Sequence, residues 1–221
     1  MDLLSEIREG GILYILLVIA ITMHEFGHAY VADKLGDRLP RAEGRVTLNP
    51  LAHMDMMGTV ILPILTIGLS LKTGFPMVFG WGKPVRVLLD NPKTRRKVDI
   101  LSTLGGVSMN LAVALVSVLL FVGFERLGWR DFSEVAATSI YINCVLFVIN
   151  MIPVPPLDGS VFLRYFTKMS QATYELISRW GIVILLVLIN IPFTSGIITL
   201  FIKLLASIFF ALANIIFAVI K

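Results

Sequence analysis

The chain has 221 residues, of which 57% are hydrophobic and only 15% charged, with a mean hydropathy of +0.86. Soluble domains carry about 25% charged residues, so a soluble class is excluded and most of the chain must lie in lipid. The net charge of +4 is modest and its basic residues fall in loops between apolar spans, which leaves no nucleic-acid partner.

In chain order, residues 1–10 are short and polar. Asp2, Glu6 and Glu9 put acid where a signal peptide's n-region needs base, so the first apolar run is expected to be retained. Gly11 to about Ala32 is the first span. At about 1.5 Å per residue it crosses a ~30 Å hydrocarbon core only if residues 24–28 are included. Residues 33–56 form a polar connection in which 43–50 read as a short strand. Gly58 to Leu71 is apolar but short, which suits a tilted or re-entrant segment. Its continuation, rich in Gly, Pro and aromatics, makes a poor helix. Residues 74–87 are read as an extended segment that returns, near residues 24–28, to the side it came from. Non-helical backbone at membrane depth needs protein or a wet cavity around it.

Residues 88–99 are the most basic part, with Lys93, Arg95, Arg96 and Lys97 as a lipid-surface anchor. Ile100 to Phe124 is a charge-free span whose Gly105, Gly106 and Ser108 permit close helix approach, with Asn110 read as a packing residue. Val135 to Leu157 is the next charge-free stretch, broken by prolines 153, 155 and 156 just before Asp158-Gly159. A turn at 190–196 divides the remainder into spans near 174–191 and 195–220. The expected fold is an all-α polytopic membrane protein. It has about six membrane segments, one of them short or re-entrant, and small β or extended elements near the active site. It forms a single integral membrane domain over 1–221, with a catalytic core of about 11–165 and C-terminal helices of about 174–220.

Loop charges set the orientation. With the first span running inward, the inner loops hold Arg38, Arg41, Arg45, Lys83, Arg86, Lys93, Arg95, Arg96, Lys97, Arg164, Lys168 and Arg179. The outer segments hold Arg8, Arg126 and Arg130, which makes twelve against three.

The chemistry concentrates in His24-Glu25-Phe26-Gly27-His28. On a helix, positions i and i+4 share a face, so both imidazoles can reach one metal while Glu25 flanks it and can take a proton from water. Ionisable groups at this depth are costly and usually functional. A catalytic zinc site takes a third protein ligand. Asp158, a carboxylate among apolar residues at a broken helix end, is preferred, and His53 is the alternative. His53 also reads as a local structural pair with Asp55. Cys144 reads as a small buried hydrophobe. Asn150 reads either as a helix–helix hydrogen bond or as an amide facing the site. Trp81 and Trp129 read as interfacial aromatics. A transporter site is the rival reading, but no second acidic or histidine cluster continues a path.

The H-E-x-x-H of residues 24–28, paired with Asn150-Met151-Ile152-Pro153-Val154-Pro155-Pro156-Leu157-Asp158-Gly159, resembles the site-2 protease family of intramembrane zinc metalloproteases. The segments 48–55, 82–85 and 105–110 resemble its prokaryotic members, and the likeness is to one without an accessory soluble domain. The resemblance implies three helices around zinc, with His24, His28 and Asp158 as ligands, Glu25 as catalytic base and Asn150 near the substrate.

The expected function is zinc-dependent endoproteolysis of transmembrane or membrane-anchored proteins within or near the bilayer, with one Zn2+ per chain. An unwound substrate is expected to pair with the extended segment as an added strand, with Gly80, Trp81 and Gly82 as substrate-binding residues. The expected partners are a membrane-protein substrate and the lipid bilayer. The expected location is the cell membrane, multi-pass, with the active site nearer the cytoplasmic side.

Overall fold

The computed structural model describes residues 3–73, 80–88 and 92–220. Helix α1 runs unbroken over Leu3–Lys34, with Glu6 in its first turn and Lys34 in its last, the charge order that a helix dipole favours. It ends at Gly36, whose φ of +100° suits the left-handed position after a helix. Asp37 N–H then turns back to Ala32 O at 3.0 Å. Short α2 (Leu39–Ala42) leads to a 3₁₀ turn (Pro50–Ala52), a π turn (Met56–Ile61) and α3 (Leu62–Thr73). Residues 80–88 are extended and meet the preceding loop at one antiparallel bridge, Met54 to Gly82. Residues 74–79, the first part of the expected extended segment, lie outside the described residues.

Helix α4 (Pro92–Leu127) is about 54 Å long at ~1.5 Å per residue, more than a bilayer core needs, so its basic first turns project beyond the hydrocarbon. Helices α5 (Arg130–Asn150), α6 (Gly159–Phe166), α7 (Gln171–Asn190) and α8 (Pro192–Val219) complete the chain. Among the described residues, five helices are long and apolar enough to cross a membrane, and Met56–Leu69 is a shorter apolar one.

Three features differ from the sequence reading. Residues 43–50 form no strand: Thr47 Oγ1 accepts from Asn49 N–H at 3.2 Å, and Asn49 Oδ1 accepts from Leu51 N–H at 3.1 Å. These local side-chain bonds take the place of strand pairing. Helix α5 stops at Asn150, not near residue 157. Pro153 drives the residue before it out of helical conformation, and Pro155 and Pro156 prevent a restart. Helix α4 begins at Pro92 rather than Ile100, because charge marks the membrane boundary and not the helix boundary.

Helix α4 is central and packs on α1, α5, α6 and α8. Against α1 the approach is backbone to backbone. A Cβ added at Gly27 would lie 2.5 Å from Gly105 O, and one added at Gly105 would lie 2.8 Å from Gly27 O and 2.6 Å from Val31 Cγ2. Behind this crossing, Val118, Val122, Ile140, Cys144, Ala206 and Ala213 form an apolar core shared by α4, α5 and α8. Leu115, Leu119, Val183, Val187, Leu204 and Ile208 stay exposed, apolar surface that belongs against lipid. The chain is therefore an all-α, multi-pass membrane protein.

The α1–α4 crossing makes a paired prediction. Gly105→Leu should destabilise the detergent-solubilised protein by about 1–3 kcal/mol or more, the usual cost of overpacking. Gly123→Leu, on the same helix with nothing within 4 Å of its Cβ position, should leave the thermal midpoint unchanged. Circular dichroism melts of the two variants check this.

Candidate metal centre and active site

His24 and His28 sit one turn apart on α1, both buried. Asp158 arrives from the irregular loop between α5 and α6. Its Oδ2 lies 3.0 Å from His24 Nε2 and 3.1 Å from His28 Nε2, and the two Nε2 atoms are 3.0 Å apart. Among the described residues these three form the group able to hold a metal ion.

Hydrogen bonds on the far side of each ring fix which nitrogen faces inward. His24 Nδ1–H donates to Asn110 Oδ1 at 2.8 Å. Asn110, fully buried on α4, donates through Nδ2 to Asn143 Oδ1 at 3.1 Å, and Asn143 donates to Ser139 O at 2.9 Å. Ser102 Oγ donates to His28 O at 3.0 Å, which leaves its lone pairs toward His28 Nδ1 at 3.5 Å. With protons on both Nδ1 atoms, both Nε2 lone pairs point at the Asp158 carboxylate. Three acceptors at 3.0–3.1 Å repel one another unless a cation sits among them. Their spacing is close to the ~3.3 Å edge of a tetrahedron with ~2.0–2.1 Å ligand bonds, as in zinc sites. The donor set therefore fits zinc. Gly106 is part of the fit, because any side chain there would overlap the His28 ring.

The Asp158 loop is tied down on both sides. Ser160 Oγ donates to Leu157 O at 2.6 Å and pairs with Tyr174 OH on α7 at 2.9 Å. Tyr165 OH donates to Asp99 Oδ2 on α4. Burial, with the Asp99 hydrogen bond, pushes the Tyr165 phenol up to about 12, so it remains a donor. Asp158 is thus referenced to the helix that orients both histidines.

Across the site, the loop 45–59 supports residues 80–83. Trp81 N–H donates to Gly58 O at 3.0 Å, and Trp81 O accepts from Thr59 Oγ1 at 2.7 Å. Lys83 N–H donates to His53 O at 2.8 Å, and Lys83 O accepts from Arg45 Nη2. Peptide groups of successive residues in an extended chain point to opposite edges. Gly82 N–H and C=O therefore point away from the loop. A Cβ at Gly82 would lie 2.8 Å from Glu25 Cγ and 3.0 Å from Glu25 Oε1, so the Gly82 backbone rests directly on that carboxylate. Gly80 is packed instead, with its Cβ position 2.6 Å from Gly58 O and 3.0 Å from Pro63 Cγ. The Trp81 indole covers Gly58.

Glu25 is buried beside the cluster, with Oε2 3.6 Å from Arg45 Nη2. Arg45 is only 2% exposed, so it is a buried cation and not the loop charge that the orientation count takes it for; without it that count stands at eleven against three. Burial pushes its pKa down, opposed by Glu25 and Glu43, but a guanidinium stays charged. His53 does not join the histidine cluster. Its Nε2–H donates to Thr47 O at 2.8 Å, and burial, helped by the Arg45 charge, pushes its pKa down and keeps it neutral. Asp55 does not pair with it either, but accepts from Gly58 N–H at 2.7 Å and caps the π turn. Asn150 is the last residue of α5 and makes no side-chain hydrogen bond among the described residues. In the sequence Ser102 and Asn143 stand out for no role at the site, Arg45 reads as a loop charge and Asn110 as packing. Two buried asparagines in successive apolar spans were the available signal, since intramembrane amides need partners.

The model of "Peptidase family M50" matches residues 124–188. A Bacillus subtilis (strain 168) protein named "Putative zinc metalloprotease YwhC" is 33% identical over 196 residues, 83% of this chain and 82% of the relative. "Putative zinc metalloprotease Rip2" is 32% identical in Mycolicibacterium smegmatis, over 79% of this chain and 65% of the relative. The Mycobacterium tuberculosis (strain ATCC 25618 / H37Rv) protein of the same name is 29% identical, over 81% and 66%. No solved structure matches significantly. The first of these relatives is similar along four-fifths of both chains, and the family match runs through the Asp158 loop, so the chain belongs to peptidase family M50, the site-2 protease family of zinc metalloproteases.

Proposed function

We propose that this zinc metalloendopeptidase cuts transmembrane or membrane-anchored proteins within or near the bilayer, as one membrane domain spanning 1–221. The supporting observation is that the His24, His28 and Asp158 donors converge among apolar helices, beside a buried glutamate. His24, His28 and Asp158 hold one zinc per chain. When bound, the metal polarises the scissile carbonyl and makes water acidic enough to lose a proton near neutral pH. Glu25 takes that proton and passes it to the leaving amine as the C–N bond breaks. A substrate helix must unwind first, since its own hydrogen bonds hide its peptide bonds. The Gly82 N–H and C=O then pair with the unwound strand. Trp81 and Gly80 hold that edge in place, and Asn150 supplies an amide to the substrate backbone or the developing oxyanion. The loop-charge asymmetry supports a cell-membrane protein with its site nearer the cytoplasm.

Three variants test this reading. Glu25→Gln should keep its zinc and lose at least about 100-fold in cleavage, the usual scale of a general base. Comparative membrane proteomics of wild type and this variant should reveal an accumulated full-length substrate, and continued cleavage would remove Glu25 from the role of base. Asp158→Asn should weaken zinc binding beyond the ~10–100-fold cost of an outer-shell change. Zinc retained in full by metal analysis after chelator dialysis would remove Asp158 from the ligand set. Gly82→Val, whose Cβ meets Glu25, should cut turnover on the order of 100-fold, as small misplacements at a reacting centre do, with zinc content unchanged.

A further inference from the structure

Among the described residues, three buried side-chain polar atoms lack a hydrogen-bond partner: Glu25 Oε2, Arg45 Nε and His53 Nδ1. Buried unpartnered polar atoms are rare in folded proteins and each calls for a reason. These three belong to one neighbourhood. Arg45 faces Glu25 across 3.6 Å, and its charge acts on both Glu25 and His53. The guanidinium cannot swing away, because Nη1 donates to Ala52 O at 2.6 Å and Nη2 donates to Lys83 O. Glu25 has no such tether. Its carboxylate lies between the Gly82 backbone on one side and Arg45 on the other, and no hydrogen bond restrains Oε2.

From this geometry we infer that Arg45 is a positioning residue for Glu25: its backbone-clamped fixed charge holds the carboxylate against the Gly82 edge, in the orientation needed to accept a proton. A general base works only within hydrogen-bond reach of the proton it takes, so a freely rotating carboxylate loses much of its effect. Lysine cannot replace this arrangement. Its point-like ammonium lacks the planar fork that reaches two carbonyls and still faces Glu25. The 80–83 edge does not depend on Arg45 alone, because Trp81 N–H, Trp81 O and Lys83 N–H keep their own partners. Arg45 therefore acts on turnover more than on substrate affinity.

The inference rests on Glu25 as base, and a double-mutant cycle separates the two claims. The probe is a fluorescent peptidyl hydroxamate, a zinc chelator whose acidic N–OH also engages a carboxylate base, titrated into purified zinc-loaded protein. Zinc per chain is measured for every variant. Arg45→Met is expected to weaken probe binding about tenfold when Glu25 is present, and less than about twofold in the Glu25→Gln background, at unchanged zinc content. Equal losses in both backgrounds, or no loss in either, would overturn the inference. Arg45→Lys carries the same cycle should Arg45→Met fail to fold, and a probe affinity equal to wild type in Arg45→Lys would also overturn it. On the substrate that accumulates in Glu25→Gln membranes, kcat should fall with KM within about threefold. A raised KM at full kcat would make Arg45 a support for the edge only. If Glu25→Gln itself leaves probe affinity and cleavage intact, the base reading fails first and takes this inference with it.

Discussion

Two imidazole lone pairs and a carboxylate oxygen, held within 3.1 Å of one another inside a helical membrane protein, are the constraint around which the rest is arranged. In water such groups would turn apart and hydrate. Here each is prevented by a bond on its far side. Asn110 of α4 keeps the His24 ring from turning, Ser102 of α4 lies 3.5 Å from His28 Nδ1, and the Tyr165–Asp99 and Ser160–Tyr174 bonds keep the Asp158 loop from withdrawing. All but the last of these restraints refer to α4. That explains why α4 must come to backbone contact with α1, and why glycine occupies 27, 105 and 106. A wider crossing would take Asn110 out of reach of His24 even if every apolar contact were repacked. The low dielectric makes the arrangement stricter, since an unpartnered polar group costs more there than in water.

A second consequence concerns the extended segment. An unpaired backbone edge cannot face lipid, because each unsatisfied group costs several kcal/mol. Among the described residues the Gly82 N–H and C=O have no backbone partner, and such groups need water or another polar group to face. The opposite edge is fully engaged by Gly58, Thr59, His53 and Arg45. The segment thus has one edge engaged by the loop, a second edge without a partner among the described residues, and the face of Gly82 against Glu25. Short loops on a helical scaffold achieve this without a sheet: Asp55 and Asn49 cap the turns that set the spacing, and His53 spends its ring on Thr47 and its carbonyl on Lys83.

Much of this was legible in the sequence, for identifiable reasons. Charge-free runs mark spans whatever their neighbours, and H-E-x-x-H has one geometric meaning on a helix, so the five long helices and His24, Glu25 and His28 could be read directly. Asp158 could be placed because carboxylates among prolines and leucines at a span's end are unusual. The end of α5 was misjudged because hydropathy continues through Met151 to Leu157, while backbone sterics stop the helix at Asn150. Asn110 was read as packing because its role depends on which residue faces it across α1, and pairing between helices is invisible to a single sequence. Arg45 was counted with the loop charges for a related reason: nothing local distinguishes an arginine lying at the membrane surface from one folded beneath a loop.

That distinction bears on how two carboxylates in one site take different parts. Asp158 and Glu25 lie close enough to repel each other, yet only one of them faces both histidine Nε2 atoms. Helical geometry contributes, since Glu25 is rotated about 100° from His24 around α1. Rotation alone leaves a flexible side chain, and a divalent cation nearby would attract any free carboxylate. Arg45 gives Glu25 a counter-charge of its own, 3.6 Å away. On the proposed reading the charges would pair in two sets, Asp158 with a metal and Glu25 with Arg45. At 3.6 Å the second contact would be loose enough for a base to accept and release a proton. A shorter, bidentate pair would have made Glu25 a structural ion, and no pair at all would have left it competing to be a ligand.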